Sequence, residues 1–401
     1  MAKRISFDVI VNYLFVFLAI NYTILSIFVF KVDSKYYGLI LCSFLVFLFN
    51  IKKFETVQLS RPVFFWLIWC FYAVLNYIVH PSLIEPMDLQ ALYRRVFIPL
   101  ITMTVAIIEY RRNPKRFIWL CTFTTLVYAF LGFYYDTGIL FRDLGEDNIL
   151  GNTYAITTCF GVFYIAILNR ICKVNLFFSI FIMFVLMLVL AMSGTRKAFG
   201  AGMIMIFIWA LSFINLRKTR SWLAVAVLIV MEVFAYNYFI ENTFMGQRME
   251  YLEEQAEEFL PAEAPQFLAI FGDRAPHYYY GWQQFLERPF FGVGLAQSRV
   301  RDISTNNYFH TEFIVQLTDN GLVGFIFFFL LYYWIAKRLY HRFRTETTSA
   351  MCFVGGFIVI LFLEFTAWAW DFPHYFLCLG TIIGYCKYGY GSQKETAIRI
   401  V

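Results

Sequence analysis

The side chains through which this 401-residue chain could act on an ionic or hydroxyl-bearing ligand fall in a few places. Arg196 and Lys197 sit in AMSGTRKAFGAG, a tight link between two apolar runs. Arg248, Arg274, Arg288, Arg299 and Arg301 are spread through the one long polar stretch, about 241–309, and Arg94 and Arg95 open another apolar run. His310 stands where the polar stretch gives way to apolar sequence, in NNYFHTEFIVQLTDNGLVGF. A guanidinium stays charged at physiological pH and grips phosphate oxygens two at a time. An imidazole titrates near neutrality and can take a proton from a hydroxyl. No C-x-x-C, D-x-D, H-E-x-x-H or G-x-S-x-G occurs, which argues against a zinc site, metal-bound nucleotide-sugar chemistry, and metalloproteases or lipases of those types. The sequence therefore predicts neither a metal nor a cofactor.

These residues must be held by membrane helices. Hydrophobic residues make up 60% of the chain and charged residues only 15%, far from a soluble domain's usual share. At roughly 20 residues per crossing, the apolar content supplies about twelve spans. They are placed near 8–30, 37–50, 63–79, 95–109, 117–134, 152–169, 174–192, 198–215, 221–240, 311–336, 350–369 and 373–388. The fold class is all-α, a polytopic membrane protein, because helices satisfy their own backbone polar groups in lipid. Residues 1–240 form an N-terminal membrane region of nine spans, 241–310 an external loop, and 311–401 a C-terminal region of three. The basic N-terminal end precedes a first span that stays attached, rather than a cleaved signal. With that end inside, 21 of the 33 Lys and Arg fall in cytoplasmic connections, which predicts both termini in the cytoplasm. The net charge of +6 follows this topology and is no nucleic-acid footprint. The external arginines run against the bias, and an anionic ligand on the outer face would explain them.

The long loop carries two helical patterns. MEYLEEQAEEFL reads as an amphipathic helix whose glutamates face solvent. RAPHYYYGWQQFLERP reads as a second helix, with Tyr278, Trp282, Phe285 and Leu286 on one face and Pro289 ending it, lying along the membrane surface. Gly321 and Gly324 in GLVG read as a close helix contact. Arg94, Arg95, Arg288, Arg299 and Arg301 are expected to be solvated, and His277 and His374 incidental. Glu232 and Glu364 are the main acids within spans.

In chain order, three features resemble the O-antigen polymerase and O-antigen ligase superfamily. They are the small-residue turn SGTRKAFG with Arg196; RAPHYYYGWQQFLERPFFGVG, an Arg-led aromatic helix ending in Pro and a glycine turn, with Arg274; and HTEFIVQLTDNGLVG with His310, Gly321 and Gly324. Their order and spacing match across roughly residues 150–340. One departure is Thr311, where the family commonly has Asn.

The resemblance implies a metal-independent, inverting glycosyltransferase of the bacterial inner membrane with its active site facing the periplasm. The donor would be a glycan on polyprenyl pyrophosphate. The acceptor would be a second lipid-linked glycan (a polymerase) or lipid A core (a ligase), in lipopolysaccharide biosynthesis. Arg196 and Arg274 would hold the pyrophosphate and His310 would be the base, with Lys197, Thr311 and Glu312 in support. Membrane lipids and a chain-length regulator are the further partners it implies, with no nucleic acid. A lipid-linked oligosaccharide transporter is the alternative from another class. It calls for charges at mid-membrane depth and internally repeated, broken helices.

Overall fold

A computed structural model describes residues 6–25, 37–58, 61–79, 93–135, 151–193, 195–214, 218, 220–242, 263–265, 267–268, 275–295, 311–366 and 373–390. Among these the regular structure is helical, with no strand. The first five helices are α1 (Phe7–Ile24), α2 (Tyr37–Gln58), α3 (Arg61–Val79), α4 (Ile98–Arg112, led in by a π-turn at Tyr93–Phe97) and α5 (Pro114–Tyr135). Then come α6 (Gly151–Cys172), α7 (Leu176–Met192), α8 (Arg196–Leu211) and α9 (Arg220–Asn242). The last four are α10 (Ala275–Glu287), α11 (Glu312–Thr345), α12 (Thr347–Thr366) and α13 (Pro373–Tyr388).

Every expected span coincides with a helix, and α10 is the second amphipathic helix of the loop. The bounds that differ most from expectation are two: α2 continues to Gln58 and α11 to Thr345, because the charged residues beyond each apolar run still favour helix. Six helices (α3, α5, α6, α9, α11 and α12) are long and apolar enough to cross a membrane. The chain is a polytopic membrane protein.

Packing joins elements distant in the chain as well as sequential ones. The C-terminal α13 lies against α4, and α11 against α3, within one apolar core that runs from Val11 to Cys386. A Cβ at Gly380 would come within 2.7 Å of the Met103 carbonyl oxygen, so a side chain there would push α13 off α4. By contrast α9 leaves Trp222, Leu223, Val230, Met231 and Phe234 exposed, a surface suited to lipid. At the opposite end of the bundle from the site, Asp8 binds Arg112 at 2.5 Å and also Lys53. Arg112 there also reaches Glu109 at 3.0 Å, tying α1, α2 and α4 together.

The main departure lies in α11. Gly321 has φ +62° and ψ −170°, a conformation essentially confined to glycine, and there the helix breaks. Phe313, before the break, stacks its ring near Phe325 (6.0 Å) and Phe328 (5.7 Å), beyond it. In a straight helix those residues would stand roughly 18 and 23 Å apart. Residues 312–320 are therefore a half-helix folded back on the long helix 322–345. Reading GLVG as a simple helix contact is corrected for Gly321. It holds for Gly324, where a Cβ would sit 2.6 Å from the Tyr72 ring.

Candidate functional site

A chain reversal between two helices strands backbone groups: carbonyls ending the first half, amides beginning the second. The turn after α10 satisfies both. Val293 N donates to Thr318 O (2.8 Å) and Gly294 N to Asp319 O (2.9 Å). In return Leu322 N donates to Pro289 O (2.8 Å) and Val323 N to Phe290 O (3.2 Å). The fit is backbone to backbone, since a Cβ on Gly321 would strike the Phe290 carbonyl and one on Gly292 would strike that of Asp319. From α3, Asn76 Nδ2 donates to Phe291 O (2.6 Å) and Asp319 O (3.0 Å), and Tyr72 Oη to Asn320 O (2.9 Å).

The half-helix turns a polar face toward α3. Gln316 Nε2 donates to Glu312 Oε1 (2.8 Å), while Gln316 Oε1 accepts from Trp69 Nε1 (3.1 Å) and Asn320 Nδ2 (3.0 Å). Arg95 pairs with Asp319 at 3.3 Å, with both side chains nearly sealed from solvent. The expectation that Arg95 is solvated is thus corrected. Its π-turn inserts it against the half-helix, where a buried cation needs a carboxylate. Of this network the sequence singles out Glu312 and Arg95, but not Asp319, Gln316, Asn320, Trp69, Tyr72 or Asn76. Their signal is polar side chains at helical spacing in apolar runs, Glu312, Gln316 and Asn320 on one element and Trp69, Tyr72 and Asn76 on the other.

Arg196 and Lys197 open α8 at its N-terminus, behind Thr195, and both are partly exposed. Two cations there oppose the helix dipole, and an anion would relieve both. No ion pair to Arg196 occurs among the described residues. Arg274 and His310 lie outside the described residues, as do the acidic helix and Arg299 and Arg301; Arg94 is described in backbone only. Arg288 is exposed, as expected. The neighbours of Arg274 and His310 in the chain are placed: α10 starts at Ala275, and Thr311 caps the half-helix. Thr311 is fully buried, and its hydroxyl has no hydrogen-bond partner among the described residues. Glu312 is also buried.

All three motif-bearing elements meet at the end of α12. Tyr278 Oη of α10 donates to Phe365 O at 2.6 Å. Phe313 of the half-helix stacks on the Phe365 ring, centroids 4.1 Å apart. One turn earlier, Phe362 lies 3.7 Å from the Cβ position of Gly200, one turn into α8 from Arg196. Beneath them Glu364 is buried, accepting hydrogen bonds from Tyr332 (2.7 Å) and Tyr375. His374 is also buried and bonds Thr157 within the core.

On α10 the expected face is divided: Trp282 and Leu286 are open to the surroundings, as on a helix at the membrane surface, whereas Phe285 turns inward. His277, Gly281 and Gln284 are buried with it. Apolar side chains on a membrane protein need not turn inward, since lipid accepts them, and the small Gly281 lets the polar face dock instead.

Residues 178–329 match the family model described as O-antigen ligase. The stretch takes in all three motifs, from the α7–α8 turn to the broken α11, and the chain resembles the O-antigen polymerase and ligase superfamily there. None of the curated proteins matches the chain.

Proposed function

We propose that the chain is a membrane glycosyltransferase that moves a glycan from a polyprenyl-pyrophosphate donor to a sugar hydroxyl at the periplasmic face of the bacterial inner membrane. The observation that carries this reading is the convergence of α8, α10 and the half-helix on the end of α12. It draws Arg196 and the chain neighbours of Arg274 and His310 to one end of the bundle. Two guanidinium groups would bind the pyrophosphate and neutralise the charge that grows as the glycosidic bond breaks. The acceptor hydroxyl would attack the anomeric carbon in line, inverting it, as His310 takes its proton. Thr311 and Glu312, both buried next to it in sequence, would support that imidazole. The donor's aliphatic tail would lie among the exposed apolar side chains. Both termini would face the cytoplasm.

Polymerisation is the first reading of the acceptor: a second lipid-linked glycan. Ligation to lipid A core is the second, favoured by the description of the matching family as O-antigen ligase. In a deletion strain, loss of a polymerase leaves core capped by one repeat unit, whereas loss of a ligase leaves bare core and polymer on its carrier. The donor site is tested by Arg196→Lys and Arg274→Lys, which keep charge but lose the planar fork. Both should weaken binding of a polyprenyl-pyrophosphate glycan, and full activity in both variants would exclude the arrangement. The transporter alternative gains a broken helix at Gly321. Among the described residues, though, the break is single, and the loop turn ties it shut on both sides.

A further inference from the structure

At the far end of the long helix 322–345, a cavity of about 560 Å³ opens between α3, α11 and α13. Arg338 stands about 24 Å along the axis from Leu322, so this cavity lies across the bundle from the site described above. Four permanent cations line it (Arg61, Arg338, Arg342 and Lys387), and no carboxylate does. Arg342 is occupied, held to Glu346 at 3.2 Å and to the carbonyl of Cys386. Arg61 and Arg338 form no ion pair among the described residues. Both guanidinium groups instead stack on one indole, at 4.5 and 5.4 Å from the centre of Trp334, with the Lys337 ammonium at 5.7 Å. Three cations around one ring repel each other, and the indole's quadrupole offsets only part of that.

We propose that this cavity binds the phosphate headgroup of an anionic glycerophospholipid from the leaflet that meets this end of the bundle. Phosphate supplies the missing charge, and guanidinium pairs suit its oxygens. The surface beside the cavity favours a lipid over a soluble phosphate. Phe64 of α3 and Phe329 and Tyr333 of α11 are exposed on the membrane-core side of Arg61 and Trp334, where acyl chains would lie. The general preference of cytoplasmic segments for basic residues accounts for cations at this end. It does not account for their gathering in a carboxylate-free cavity. The proposal is independent of the glycan-transfer reading.

The test uses the purified full chain, stripped of lipid in detergent, with binding of dioleoyl phosphatidylglycerol, dioleoyl phosphatidylcholine and inorganic phosphate measured by native mass spectrometry. Phosphatidylglycerol should bind more tightly than phosphatidylcholine. Each cation near an anionic lipid contributes about fivefold, so Arg61→Gln with Arg338→Gln should weaken phosphatidylglycerol about 30-fold. Removing two exposed cations elsewhere at the same end, Lys52→Gln with Lys115→Gln, should change it less than twofold. Thr345→Trp fills the cavity without removing charge and should also exclude the lipid, which keeps the test valid if the double variant fails to fold. Equal losses in the control pair would show diffuse attraction and overturn the proposal. So would competition by inorganic phosphate at the lipid's own concentration, or wild-type binding in Thr345→Trp.

Discussion

Replacing Gly321 by alanine probes the reversal on which the half-helix depends. The observed φ of +62° with ψ of −170° is strained for any residue with a Cβ, at about 1–3 kcal/mol. The added methyl would also strike the Phe290 carbonyl, so the turn 289–294 must lift. Lifting it breaks the four backbone hydrogen bonds that Val293, Gly294, Leu322 and Val323 donate, worth about 1 kcal/mol each. The combined cost is roughly 5–7 kcal/mol, borne locally by undocking of the turn rather than by unfolding of the bundle. Amide hydrogen exchange at those four positions should therefore accelerate by at least about a thousandfold. Glycan transfer should fall by about a hundredfold, because a shift near 1 Å in a positioned group costs that much. Gly200→Ala, whose methyl would sit 3.7 Å from Phe362, is the matched control and should leave both readouts unchanged. Wild-type exchange and transfer in Gly321→Ala would refute the reasoning.

The contacts that hold the site can each be broken singly. Breaking the Arg95–Asp319 pair with Arg95→Met or Asp319→Leu alone should destabilise the protein by about 3–5 kcal/mol, since each removes the charge partner of a buried ion, whereas the two substitutions together should recover most of that loss. Thermal unfolding of the two single variants and the double reads this cycle, and additive losses would contradict the pairing. Tyr278→Phe should cost about 1 kcal/mol and speed exchange in α10 about fivefold, because it removes the hydrogen bond from that helix to Phe365 O; unchanged exchange would show that α10 is held otherwise.

Helix positions were legible because the bilayer imposes a length and a composition: each apolar run became a helix, from Phe7–Ile24 to Pro373–Tyr388. The reversal at Gly321 was not, because HTEFIVQLTDNGLVGF reads equally as one span. Only the backbone contact with FFGVG, about 30 residues earlier, decides otherwise. The inward turn of Phe285 was hidden for a related reason, since beside a membrane an apolar residue is equally at home in lipid and in the protein interior. Arg95 was misjudged because its partner lies 224 positions away. The motif around Arg196 was legible as cations in a tight link between two apolar runs, and the structure puts it between α7 and α8, with Arg196 opening the latter.

Glycan transfer with His310 as base is measurable with purified enzyme, a synthetic polyprenyl-pyrophosphate glycan and acceptor. General-base assistance is worth about 10²–10⁴-fold, so His310→Ala should fold and bind donor as wild type does, yet form product at least about a hundredfold more slowly. Near-normal turnover in that variant, or no transfer by the wild-type chain with either acceptor, would contradict the account.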